Sequence, residues 1–152
     1  MLAFLSILFL LVASCVLIHG FGMLWGMKRM VNIWPKTNGT AHAFQMVWIL
    51  IRVVFGLLLL HLLQIGVWAA FFRYRGFFPD VETAFYYSAT SYSTVGYGDV
   101  IPPDHWRVYG AIEAVTGILM FGWSTGVLFS IVNRFQRHLI PFPDHKSDAN
   151  AD

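Results

Sequence analysis

Three stretches of this chain carry too little charge to remain in water as helices: Leu2 to Trp25, Phe44 to Phe72 and Val108 to Val132. Each is long enough to cross a hydrocarbon core of roughly 30 Å, which takes about 20 helical residues. Lipid offers no partner for an unpaired peptide group, so such stretches must satisfy their backbone as helices. The rest of the sequence agrees, with 57% hydrophobic and 12% charged residues, where a soluble domain carries about 25% charged. An all-α membrane protein with three transmembrane helices follows. Between the second and third stretches lies a shorter amphipathic piece, Pro79 to Thr94. At about 16 residues it is too short to span comfortably, and it reads as a re-entrant segment.

The first stretch also has a signal-peptide reading, since "LVASC" ends at Cys15 like a lipoprotein cleavage box. No Lys or Arg precedes it, however, and the apolar run continues to Trp25, past a signal core of about 7–15 residues. It is read as a retained helix. Cys15, the single cysteine, has no internal disulfide partner and reads as a small apolar side chain. Lys28, Arg29 and Lys36 lie between the first two spans, and Arg134, Arg137 and Lys146 follow the third. Three crossings bring both basic clusters to one side, which the positive-inside rule makes cytoplasmic. The N-terminus and the whole segment between spans two and three are then outside, against the votes of Arg73 and Arg75.

The first connection contains Pro35 and Asn38-Gly39, which are turn residues. Asn38-Gly39-Thr40 also matches a glycosylation sequon, discounted because a cytoplasmic loop never meets the transferase. The polar tail from Arg134 to Asp152 reads as frayed. Trp25, Trp34, Trp68, Trp106 and Tyr109 fall near span ends, where amphipathic aromatics favour the headgroup region.

The re-entrant piece carries the chemistry. Asp80 is placed to cap a helix, and Asp80 and Glu82 put negative charge at its positive end. About 14 residues from Val81 to Thr94 rise roughly 21 Å, past the membrane midplane. There the helix gives way to "TVGYGD", where Gly96 and Gly98 alternate with Val95 and Tyr97. Irregular backbone at that depth is tolerated only if wrapped in protein or lining a water-filled cavity. Glycine adopts positive φ readily. A strand with left-handed residues interleaved turns successive carbonyl oxygens to one side, and a one-sided row of carbonyls is a cation site.

Thr94-Val95-Gly96-Tyr97-Gly98-Asp99 resembles the signature filter of potassium channels. The likeness extends from Phe71 to about Val132, and Pro102, Trp106 and "GILMFG" fall close to their places in bacterial single-pore-loop channels. The resemblance implies that carbonyls of Thr94, Val95, Gly96 and Tyr97, with the Thr94 hydroxyl, form stacked sites for a dehydrated K+, with Gly98 completing the filter. Tyr97 would brace the filter against the pore helix near Tyr86 and Tyr87, and Asp99 would sit at the outer mouth. The chain has one such loop, and a ring of four carbonyls needs four, so a homotetramer in a lipid bilayer is expected. No cofactor beyond K+ as permeant ion, no nucleic acid and no small-molecule substrate is implied. The bacterial likeness points to an inner membrane.

Some bacterial relatives place a carboxylate four residues before the filter threonine, where this chain has Thr90. Glu113, early in the third span, is the spare carboxylate. A charge facing lipid at mid-bilayer costs about 2.5–3.5 kcal/mol on insertion scales, so Glu113 is expected to face protein or water. It either bonds behind the filter in place of the missing carboxylate or lies shallow enough to reach the headgroups. Arg52 snorkels near the cytoplasmic end of span two; a single arginine is no voltage sensor. His61 and Gln64, deep in the same span, are expected to join helices by hydrogen bonds, and His105 reads as a surface histidine. Ile118, Gly122, Thr125 and Phe129 recur at helical spacing and are candidates for lining the cavity, against simple packing. Gly117, Gly122 and Gly126 permit close packing or bending.

The expected division is an extra N-terminal helix (1–27), a cytoplasmic loop (28–43), a pore domain (44–133) and a short tail (134–152). Within the pore domain the outer helix takes 44–72, the pore helix 80–94, the filter 94–99 and the inner helix 107–133. The leading function is passive conduction of K+; a non-conducting pore-like subunit of a larger assembly is the alternative. Scattered Ser, His and Asp residues make no nucleophile setting, and no enzyme is read here.

Overall fold

The computed structural model describes residues 2–33 and 40–139. The described residues form four α-helices: α1 (Leu2–Ile33), α2 (Thr40–Tyr74), α3 (Val81–Tyr92) and α4 (Arg107–Leu139). A short 3-10 turn, Asp104–Trp106, leads into α4. No strand occurs among the described residues. α1, α2 and α4 are each long and apolar enough to cross a membrane.

All three long helices outrun the apolar stretches that announced them. α1 continues to Ile33 rather than stopping at 27, α2 begins at Thr40 rather than 44, and α4 continues to Leu139 rather than 133. Leaving the hydrocarbon does not end a helix; a breaker does, and none precedes Pro35 in the first connection. The expected loop 28–43 is correspondingly shorter. The sequon at Asn38-Gly39-Thr40 and the tail beyond Leu139 lie outside the described residues, Thr40 excepted.

α1 turns one stripe inward. Leu8, Leu11, Cys15, His19 and Met23 are buried, at the three- and four-residue spacing of a single helix face. At one end of the bundle Phe4 meets the edge of Tyr109 with ring centroids 4.9 Å apart, and Phe71 also packs on Tyr109 at 5.1 Å. At the other end Met30 packs against Met46, Ile49, Ile131 and Phe135. The start of α1 therefore lies beside the end of α2 and the start of α4, so α1 and α4 run the same way and α2 runs against them. This arrangement puts Lys28 and Arg29 at the same end of the bundle as Arg134, as three crossings require.

Arg75, at the opposite end, is held over the ring of Trp106 with its guanidinium carbon 4.3 Å from the centroid. Its charge serves packing there through a cation–π contact. An aromatic layer of Phe71, Phe72, Phe77, Phe78, Tyr87, Trp106 and Tyr109 closes this end and seats α3 between α2 and α4.

Candidate functional site

The site is the segment that leaves α3. Asp80 precedes the helix in extended conformation, and its carboxylate accepts the Thr83 backbone N–H at 2.7 Å and the Thr83 hydroxyl at 2.9 Å. These two bonds, the backbone one foremost, hold the Asp80 carboxyl below its ordinary range. α3 is shorter than expected: it ends at Tyr92 and is closed by Ser93, whose hydroxyl donates to the Ala89 carbonyl at 2.6 Å. Twelve residues rise about 18 Å, still more than half of a hydrocarbon core.

The helix ends early because the next residue leaves helical space. Thr94 has φ +63°, followed at alternate positions by Gly96 at +56° and Gly98 at +76°. For glycine this costs little. For threonine, β-branched and the only non-glycine residue described with positive φ, it stores strain on the order of 1–3 kcal/mol. Strain of this kind persists only where surroundings enforce it, and here the Thr94 N–H bonds the Ser91 carbonyl at 2.9 Å while the Gly96 N–H reaches back to Thr90 at 3.0 Å. Left-handed residues at every second position are the pattern that lines carbonyls along one side.

Residues 93–99 are exposed in the single chain, Tyr97 to 70%. Tyr86, expected behind the filter with Tyr97, instead donates its hydroxyl to Asp99 Oδ2 at 2.8 Å, and Asp99 Oδ1 accepts the Val100 N–H at 3.1 Å. Asp99 is thus tied back to α3, and Tyr97 has no such tie among the described residues. Within the single chain Tyr87 is buried against Phe72 and Phe78, with centroids 5.0 Å from each. The periodicity explains both, since Tyr86 and Tyr87 are adjacent on a helix and cannot share a face. Thr90 spends its hydroxyl on the carbonyl of Tyr87, 2.9 Å away in its own helix.

Glu113 is fully buried, which removes the alternative that it reaches the headgroups. It lies behind α3, with the Ser88 hydroxyl beside it and Tyr87, Tyr92 and Cys15 within electrostatic reach. Neither carboxylate oxygen completes a hydrogen bond among the described residues, and Ser88 Oγ and Tyr109 Oη are likewise unmatched there. The pair Glu113 and Ser88 is close without bonding geometry. One turn further along α4, Gly117 meets the backbone carbonyl of Tyr92 so closely that no Cβ fits, whereas a Cβ at Gly122 or Gly126 would enter open space.

The four candidate cavity residues are all on the exposed side of α4, Ile118 at 57% and Phe129 at 66%, with Gly122 and Thr125 between them. The Thr125 hydroxyl is returned to the Phe121 carbonyl at 2.8 Å. The opposite face, with Glu113, Thr116, Met120 and Ser124, is buried in the bundle.

Sequence reasoning placed His61 and Gln64 as links between helices but missed their partners. His19 of α1, Tyr92 of α3 and Ser124 of α4 complete the cluster, and all five side chains are buried. A histidine in the middle of an apolar run was the available signal, since polar side chains inside a membrane seldom lack a partner.

A protein-family model described as "Ion channel" matches residues 58–134, just over half of the chain. The voltage-gated potassium channel Kch of Escherichia coli (strain K12) is 36% identical over 72 residues, which is 45% of this chain and 17% of that protein. The potassium voltage-gated channel subfamily A member 2 of Xenopus laevis and of Mus musculus is 34% identical over 59 residues, 38% of this chain and 12% of each of theirs. The chain thus spans less than a fifth of the length of these curated relatives, and no solved structure matches it. The matched segment runs from the second half of α2 through α3 and the left-handed segment to the last turns of α4. By this match the chain belongs to the ion-channel family, as a multi-pass membrane protein and not an enzyme.

Proposed function

We propose that the protein is a potassium-selective channel in which four identical chains surround one pore. The observation that carries this reading is the alternation of positive φ at Thr94, Gly96 and Gly98 in an exposed segment whose N–H groups at Thr94 and Gly96 are bonded back to α3. Backbone in that state at membrane depth needs partners, and three further copies facing K+ supply them. Carbonyls of Thr94, Val95, Gly96 and Tyr97 replace the hydration shell of the ion, and Gly98 sets the turn toward Asp99 at the outer mouth. Tyr97 packs against a neighbouring chain. The end of α3 directs its negative dipole at the cavity, favouring a waiting cation.

Ile118, Gly122, Thr125 and Phe129 line the cavity below, as their shared exposed face supports. Glu113 supports the filter from behind α3, in the part played elsewhere by a carboxylate at the position of Thr90. The basic ends of α1 and α4 are cytoplasmic, in a bacterial inner membrane, and the filter opens to the outside. The potassium-channel relatives of the matched segment support the choice of ion.

Purified protein in potassium-loaded liposomes tests the reading. Potassium efflux that greatly exceeds sodium flux is expected. Absence of flux would favour a non-conducting subunit, and equal passage of sodium would remove selectivity from the assignment.

A further inference from the structure

Five buried polar side chains from all four helices meet in the middle of the bundle. Gln64 Nε2 is 2.9 Å from His19 Nδ1, and His19 Nε2 is 3.2 Å from Ser124 Oγ. Ser124 Oγ is 3.0 Å from His61 Nε2, His61 Nδ1 is 3.1 Å from the Tyr92 hydroxyl, and that hydroxyl is 2.7 Å from Gln64 Oε1. The chain of bonds closes on itself.

Proton bookkeeping around the circuit has a definite solution. Tyr92 has one proton and gives it to Gln64 Oε1, so His61 Nδ1 must be the donor to Tyr92. A neutral His61 then accepts at Nε2 from the Ser124 hydroxyl. Ser124 in turn accepts from His19 Nε2–H, and His19 Nδ1 accepts from the Gln64 amide. Every bond runs in the same direction and every facing lone pair is used, with both imidazoles neutral. Turning the Gln64 amide over reverses all five bonds and yields the mirror circuit. In either direction the two histidines carry their protons on unlike nitrogens, one on Nδ1 and the other on Nε2.

Such a circuit is stiff, because each bond polarises the next and none can turn alone. Its member Tyr92 is the last residue of α3, two residues before Thr94. Its carbonyl is against Gly117, and its ring meets the edge of Phe121 at 5.5 Å. Tyr92 is therefore held through its hydroxyl, its ring and its carbonyl at the point where the left-handed segment begins.

We propose that His19, His61, Gln64, Tyr92 and Ser124 are positioning residues, a closed hydrogen-bonded circuit through which the first helix fixes the inner end of the filter. This rests on the channel reading above. α1 is then part of the pore's support, although the family match begins only at residue 58.

The test has two arms. In protein labelled with 15N-histidine and held in liposomes, solid-state NMR should find His19 and His61 neutral and in opposite tautomers, the signals assigned with H19Q and H61Q. The same tautomer on both, or a charged ring at neutral pH, would overturn the circuit; this arm needs no ion flux and stands even if the protein does not conduct. In the second arm, H19L removes two bonds. A membrane hydrogen bond of average strength corresponds to about threefold in an equilibrium, so the K+ over Na+ permeability ratio should fall by about tenfold. H19Q, which presents a donor and an acceptor from one amide, should recover most of it. S124A, nearly isosteric, should give a similar fall to H19L and covers the case in which H19L does not fold. Unchanged selectivity in H19L or S124A, or a loss in H19Q as large as in H19L, would reduce the circuit to helix packing.

Discussion

Two regions only two residues apart in sequence solve the problem of polar groups in a membrane in opposite ways. The circuit at Tyr92 pairs its facing donors and acceptors inside one chain, with five buried side chains from four helices. The segment from Thr94 to Asp99 leaves its backbone open, exposed and strained at Thr94. On the channel reading proposed above, the contrast is the one a permeation site requires. Carbonyl lone pairs left free within the chain are the ones an ion can take, and on that reading the segment is held in shape from outside. On the proposed reading, the circuit, the Asp99–Tyr86 bond and the contact at Gly117 form the holding structure.

The largest expected effect comes from breaking the open side of this contrast. Replacing Gly98 by alanine forces a side chain to φ +76°, costing about 1–2 kcal/mol per chain, and in the proposed tetramer the cost falls on all four copies. Potassium flux into liposomes should be abolished while circular dichroism still reports the helices; retained selective flux would remove the left-handed residues from the mechanism. Next in size is Glu113→Gln, which keeps the shape and removes the carboxylate from behind α3. If Glu113 supports the filter, selectivity or the decay of current under sustained potential should change by several-fold. Wild-type values for selectivity, conductance and inactivation alike would confine Glu113 to packing.

Tyr86→Phe cuts the single bond that ties Asp99 to the pore helix. Single-channel recordings should show a shorter-lived open filter with the ion preference intact, because the carbonyl-bearing residues are not touched. A lost preference for K+ would mean that Asp99 governs the filter as a whole. The smallest effect concerns the far end of α3. The Asp80 carboxyl is held below its ordinary range by Thr83, so its contribution is complete above the unfolded carboxylate value of about 3.9 and is lost as external pH falls through the lower folded value. Acidifying the face that carries the start of α3 into that range should loosen it and speed the decay of flux, and Asp80→Ala should show the faster decay already at neutral pH. A variant indistinguishable from wild type at both pH values would separate the cap from the filter.

Parts of both regions were legible from residue order. The three apolar runs predicted the spans because length and hydropathy alone decide whether a helix suits lipid. Thr94 to Asp99 was readable because the need for positive φ writes glycine into the sequence at Gly96 and Gly98. Tyr86 and Tyr87 were not told apart by residue order. They were grouped behind the filter, yet one bonds Asp99 and the other is buried against α2, a division set by helix rotation. Thr90 was compared with a carboxylate position, and its hydroxyl turned out to be spent within its own helix.

Membrane residence, the number of spans and the filter motif are therefore properties of local sequence, since each follows from the solvation or backbone geometry of neighbouring residues. The role of α1 is not. His19 and Ser124 are 105 positions apart, and no periodicity in either helix names the other as its partner. Only the packing of α1 between α2 and α4 brings the two within bonding distance of His61, Gln64 and Tyr92. A hydrogen bond is decided by ångströms and angles, and those are set by how whole helices seat on one another.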